Sequence, residues 1–331
     1  MTIILKRGLG AVLVLTSTLG AAQAEAEFTM RIAAGASSNG NVCNNYLDAW
    51  GDRVREASGG RIEYELTCDG ALVGMGNGVD RVAQGVADVA WDAPGTYGAR
   101  FAGLNVIGVP GLYTDPEAAS GALWNAYASG ALGGEITDVR VLWFQAVPNN
   151  SFFMLEPRED FSNLGGLQIG MGSQIRAAVV EAMGGVPVAL RVPEYYQSMQ
   201  RGAVQGLMTT PGAVFDFSID ELVHQVYEAP FGGGLTFTVM SNDFYNSLPA
   251  DLQAVIDGLS GHDQSRWASA YLRDDEAEKL AALEGVEIRH ATEAEVAALQ
   301  PAIDAGRATY LASAPENAGY LEAIQAALAA E

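Results

Sequence analysis

The sequence predicts an α/β protein built from two sheet-forming units. Three observations carry that prediction. Short apolar runs alternate with helix-spaced segments between Phe28 and Trp91. The same alternation recurs between Phe161 and Pro211. Helical periodicity then runs for an unusual length from Pro249 to about Glu284, with Gly258 and Gly261 as its only soft points. Strand–helix–strand–helix–strand order is the signature of a parallel sheet with right-handed crossovers.

Residues 1–24 read as a secretory signal. Lys6-Arg7 give the charged start, Leu9 to Leu19 the apolar core, and Ala22-Gln23-Ala24 the cleavage site. The rival reading is a membrane anchor, but the run is shorter than the ~20 residues a span needs. The protein is therefore expected to be exported. Cys43 and Cys68 then sit in an oxidising compartment and read as a disulfide, with two buried thiols as the other reading. Neither belongs to a C-x-x-C pair, so zinc and redox chemistry have no support.

Phe28 to Ala33 is the first strand, followed by the small polar loop Gly35 to Asn41. Tyr46 to Ala57 is an amphipathic helix closed by Ser58-Gly59-Gly60. Arg61 to Thr67 alternates polar and apolar, as a half-exposed strand does. A Gly-rich loop, a short helix from Val79 and a strand from Val86 to Trp91 complete the first unit. Pro116 to Ala131 is helical and Val139 to Val147 is a strand. Asn149 to Leu155 begins the second unit. There Leu167 to Ile169 is a strand, Ser173 offers an N-cap, and Ile175 to Met183 is a helix closed by Gly184-Gly185. Val186 to Leu190 is a strand, Pro193 opens a helix to Gly202, and Val204 to Met208 is a strand. Phe231 to Met240 leads back to the first unit, and Glu293 to Ala329 is Ala-rich and helical.

The central segments resemble the solute-binding subunits of tripartite ATP-independent periplasmic (TRAP) transporters, the DctP-type family. Leu164 to Gly170 match that family's "D-L-x-G-L-K-I-R", Gly184 to Val188 its "G-A-x-P-V", and Glu194 to Gly206 its "E-V-Y-x-A-L-Q-x-G-x-V-D-G". Ser37-Ser38-Asn39, Ser58 to Ile62, Gly85 to Asp88 and Ser241 to Gln253 match further segments in order. The resemblance implies a two-lobed periplasmic binding protein with a ligand cleft between the lobes and a long C-terminal helix spanning both. Lobe I is expected over 25–148 plus about 238–272, and lobe II over 149–237 plus about 273–331. It implies a monomer that captures a small polar solute by lobe closure and delivers it to TRAP membrane subunits, without a cofactor.

Composition and motifs agree with binding rather than catalysis. The chain has 331 residues and a net charge of −22, which argues against nucleic acid as a partner. His224, His262 and His290 are scattered, and neither G-x-S-x-G nor G-x-x-x-x-G-K-[ST] occurs. Metal ligation has no motif. The rivals are a binding protein serving another importer or a sensor, and an exported enzyme on a two-lobed scaffold.

Ligands of such sheets sit beyond the carboxyl ends of the strands. The resemblance places Asn39, Trp91, Asp92, Asn150, Gly170, Val192, Thr209 and Phe231 there. Two departures bear on the ligand. The family's carboxylate-clamping Arg falls on Gly170, and a second Arg of some relatives falls on Asn150. An amine or neutral polar ligand is therefore expected, with Trp91 and Tyr97 as stacking partners and Asp92 as counter-charge. The alternative is an organic acid held by Arg176 or by the helix start near Gly172 and Ser173.

Overall fold

The computed structural model describes residues 26–133 and 136–331, so the expected signal segment lies outside the described residues. In chain order the strands are β1 (Phe28–Ala34), β2 (Ile62–Thr67), β3 (Val89–Asp92), β4 (Arg140–Ala146), β5 (Ser151–Met154), β6 (Gln168–Met171), β7 (Val186–Ala189), β8 (Gly206–Thr209), β9 (Gln225–Glu228), β10 (Leu235–Met240) and β11 (Glu287–His290). The α-helices are α1 (Asp48–Ala57), α2 (Gly78–Ala83), α3 (Pro116–Ala128), α4 (Gln174–Ala182), α5 (Tyr195–Gln200), α6 (Pro211–Asp216), α7 (Asn242–Ser247), α8 (Ala250–Gly258), α9 (Gly261–Ala281), α10 (Glu293–Ser313) and α11 (Asn317–Leu328).

Two sheets make two lobes. The first has the order β2-β1-β3-β10-β4 and the second β11-β9-β5-β8-β6-β7. In each sheet one strand supplied by a crossover runs against its neighbours: β10 is antiparallel to β3 and β4, and β5 is antiparallel to β8 and β9. Both faces of each sheet are covered, so neighbouring residues of one strand enter different cores. Val89 and Trp91 pack with Trp50 and Leu142, while Ala90 packs with Phe144 and Phe237. In the second sheet Phe152 packs with Ile169 and Tyr227, while Phe153 packs with Leu207 and Tyr195. Sheets buried on both faces need apolar runs rather than alternation, which is why these strands are short and continuous in the sequence.

The long helical stretch after Pro249 is broken at Leu259-Ser260, where Gly261 takes φ +88°. The longer piece, α9, spans the lobes. Its Ala268 packs in the core of lobe I and its Leu280 in lobe II. Ser265 accepts from the Phe144 N–H at 3.1 Å and Ser269 donates to the Ala146 carbonyl at 2.8 Å, fixing α9 along β4. α10 also bridges, with Leu299 and Ile303 in lobe II and Tyr310 in lobe I. The expected assignment of the whole tail to lobe II needs correction at its end. Leu321 and Ile324 of α11 enter the core of lobe I, because the apolar surface they need is offered there by α3.

Cys43 and Cys68 are bonded, with Cα atoms 6.6 Å apart. The bond ties the helical turn Val42–Leu47 to the loop after β2. No helix among the described residues is long and apolar enough to cross a membrane.

Candidate functional site

The topology gathers one set of strand ends. The chain leaves lobe I at Ala146, enters lobe II at Ser151, leaves it at Glu228 and returns at Leu235. The carboxyl ends of β1, β3, β4, β6, β7 and β8 therefore face the two crossovers. Ser151 pairs with Thr209, which sets Asn150 beside the loop that follows β8.

Arg176 is the centre of this region. It lies in the first turn of α4, and side chains on a helix lean toward its N-terminus, here toward the end of β6. Its Nη1 donates to Asn150 Oδ1 at 3.0 Å. Its Nε is sealed from solvent and has no hydrogen-bond partner. Burial pushes the guanidinium below its ordinary value, and the titratable group that opposes this shift is the Tyr195 phenol, not a carboxylate. An arginine stays ionised even so, so the site holds a positive charge supported by neutral partners. Gly172 leaves room over it: a Cβ there would lie 3.7 Å from both Arg176 Nη2 and the Tyr195 hydroxyl. Tyr195 is itself pushed up by burial, and is eased back by Arg176 and by a hydrogen bond with Thr209. Ser173 occupies the N-cap position in extended conformation, but its side chain does not cap the helix.

Asn150 is 1 % exposed and joins the crossovers. Its Nδ2 donates to the carbonyls of Gly232 and Gly233, which turns Oδ1 onto Arg176. Arg176, Asn150 and Thr209 thus come together as a group, with Tyr195 added. The sequence does not single out Tyr195, because helical spacing makes it one more core residue of a short helix.

Four other expected positions have different roles. Gly170 is a packing position: a Cβ there would meet Leu207 Cδ2 at 2.7 Å and Leu190 Cδ1 at 2.8 Å, so the two leucines fill the place of a side chain. Asp92 is fully buried and committed to its own loop. Its carboxylate accepts from the N–H groups of Gly76, Gly78 and Ala93 and from the Tyr97 hydroxyl at 2.6 Å. It is not free to balance an amine, and Tyr97 is held with it. Phe231 is a core residue, packed edge-on against Phe152 with centroids 5.1 Å apart. Trp91 packs into the core of lobe I at 9 % exposure, with its indole Nε1 sealed and unpartnered.

Asn39 is exposed in the loop after β1, and Val192 is half-buried where the chain leaves β7. The Asn39 loop touches lobe II. A Cβ on Gly40 would lie 2.8 Å from Asp216 Oδ1, and Asn41 Nδ2 donates to Asp275 at 2.8 Å. A separate surface cavity of about 540 Å³, lined by Arg158, Glu159, Glu287 and Arg289, lies at the opposite ends of the lobe II strands.

The sequence profile of the DctP family, described as bacterial extracellular solute-binding protein family 7, matches residues 33–312. A solute-binding protein of Sulfitobacter sp. (strain NAS-14.1) is 27% identical over 252 residues, covering 72% of this chain and 74% of its own. A crystal structure of a TRAP solute-binding protein from Rhodoferax ferrireducens with copurified benzoate superposes with a TM-score of 0.80 at 24% identity, covering 91% of this chain and 98% of that one. A marine-metagenome TRAP protein specific for aromatic acids, in complex with 3-hydroxybenzoate, gives 0.83 at 21% identity, covering 92% and 99%. The chain belongs to the DctP family, family 7 of the bacterial extracellular solute-binding proteins.

Proposed function

We propose that the protein is the periplasmic receptor of a TRAP importer and binds a small organic acid, with the acid's carboxylate on Arg176. One observation carries the ligand class: a guanidinium lies among the strand ends with Asn150 as its hydrogen-bond partner and Nε unpaired. A bidentate carboxylate is the ligand that matches such a planar fork. This replaces the amine or neutral ligand expected from the sequence, since Asp92 is already engaged by three backbone N–H groups and a phenol. The relatives with bound benzoate and 3-hydroxybenzoate support the same class. The receptor acts as a monomer, closes its lobes on the acid and hands it to the membrane subunits of the importer.

A thermal-shift screen of the purified protein against organic acids, amines and polyols tests this. An acid at 100 times its Kd adds about 2.7 kcal/mol of stability. Acids are expected to raise the melting temperature and amines and polyols to leave it unchanged. A shift with amines or polyols alone overturns the reading.

A further inference from the structure

We propose that Glu276 is a second anchor of this site and selects acids that also carry a hydroxyl group. The inference rests on the carboxylate of the ligand lying at Arg176. Glu276 projects from the spanning helix α9 and is 3 % exposed. It lies in the seam between the lobes. On the lobe II side it accepts a hydrogen bond from the Gly212 N–H, with Asp216 nearby. On the lobe I side its charge bears on Tyr113, a residue of that lobe's core. Its Oε2 is sealed from solvent and has no hydrogen-bond partner.

Two routes connect Glu276 to Arg176. One runs along lobe II: Arg176 lies beside Tyr195, Tyr195 bonds Thr209, and Gly212 follows three residues on. The other runs through the crossover. Asn150 holds Arg176, and its neighbour Asn149 donates to the Tyr113 carbonyl at 3.0 Å while its Oδ1 is a second sealed, unpartnered acceptor. The two routes link Arg176 to Glu276 through residues of both lobes, by way of Tyr195 and Thr209 on one side and of Asn149 and Tyr113 on the other. Both routes start at a cation suited to a carboxylate, and along them lie two oxygens without a donor, Asn149 Oδ1 and Glu276 Oε2. A plain acid satisfies the cation only. A hydroxy acid satisfies both, because its hydroxyl donates to Asn149 Oδ1 or Glu276 Oε2 and accepts as well. That double capacity suits a carboxyl that burial pushes up to about 8, since a protonated Glu276 also offers a hydrogen.

The test is calorimetric titration of the purified protein with matched pairs of acids: propionate and lactate, succinate and malate, phenylacetate and mandelate, benzoate and 3-hydroxybenzoate. The wild type is expected to bind the hydroxy member of the best pair about tenfold more tightly or better, the range of one hydrogen bond to a buried partner. Glu276→Met keeps the side-chain volume and is expected to bring the pair within about twofold. Glu276→Gln keeps an acceptor for Gly212 and a polar group at the Oε2 position, and should retain most of the preference. The inference is overturned if the wild type binds both members equally, or if the preference survives in a folded Glu276→Met protein. Equal binding leaves the Arg176 reading standing. Binding of these acids that is unchanged by Arg176→Met removes that reading instead, and the two failures are thereby distinct.

Discussion

Glu276→Gln should change how stability depends on pH. The carboxyl is 3 % exposed, and burial, with Asp216 and Asp275 adding to it and Lys279 and the Gly212 N–H opposing, raises it from an ordinary 4.5 to about 8. In the unfolded chain it ionises near 4.5, so between those two values the folded protein holds one more proton than the unfolded one. Stability then falls as pH rises, at about 1.4 kcal/mol for each pH unit, and the loss is complete above about pH 8. Across that window the cost comes to about 4–5 kcal/mol, a large part of the stability of a typical domain. Glutamine cannot ionise and keeps the bond from Gly212. Urea unfolding of both proteins at pH 4.5, 6, 7, 8 and 9 reads the difference directly. Asp216, Asp275, Lys279 and Tyr113 are present in both proteins and cancel to first order. The variant should match the wild type near pH 4.5, gain on it steadily, and exceed it by about 4–5 kcal/mol at pH 8 and above. A difference that stays constant from pH 4.5 to pH 9 would refute the argument, because Glu276 would then ionise alike in both states.

Other outcomes follow from the same structure. Arg176→Met should weaken binding of an organic acid by about 100-fold or more, the cost of removing one partner of a buried charged pair; titration calorimetry checks it, and the ligand-free protein should melt no lower, since an incompletely paired guanidinium has been replaced by an apolar chain. Gly170→Arg, which restores the residue usual in the family, should not restore a clamp: the Leu207 and Leu190 methyl groups stand within 2.8 Å of the new Cβ, so the variant should lose about 1–3 kcal/mol in a denaturation experiment and gain no affinity. Removing the disulfide by paired Cys43→Ala and Cys68→Ala substitution should cost about 3.5 kcal/mol, from a bridge spanning 25 residues of sequence, read as a lowered urea midpoint.

The architecture was legible because its elements are local. Gly165-Gly166 and Gly184-Gly185 take φ of +60° or more, or close a helix, and they punctuate short apolar strands that need burial on both faces. Such signals lie within a few residues of what they determine. The break at Leu259-Ser260 was foreshadowed by its flanking glycines for the same reason. The direction of a side chain at a strand end is not local. Asp92 reads as a free carboxylate until the loop at Gly76 and Gly78 folds back onto it. Phe231 reads as a lining residue until Phe152, from strand β5, meets its ring. Glu276 is one of 40 acidic residues, and nothing in its neighbourhood along the chain says that its helix will bury it between two lobes.

Arg176 shows why the loss at Gly170 does not settle the ligand. With two leucines filling the Gly170 position, strand β6 has no space for a cation at its end. The positive charge comes instead from the first turn of α4, six residues later. An arginine is unfavourable there for the helix itself, because the N-terminal end of the macrodipole is already positive, by about 0.3–1 kcal/mol. The Ser173 side chain does nothing to relieve this, as it leaves the helix uncapped. Nor does Asn150, which is neutral. Guanidinium and helix start therefore add their fields at one place, and folding alone gains nothing from that sum. An anion bound there gains from both. On the proposed reading, the same arrangement that costs the empty receptor stability raises its affinity for a carboxylate, and it also sharpens discrimination, since an ammonium ligand would meet two positive fields while Asp92 is already engaged by the Gly78 N–H and the Tyr97 hydroxyl.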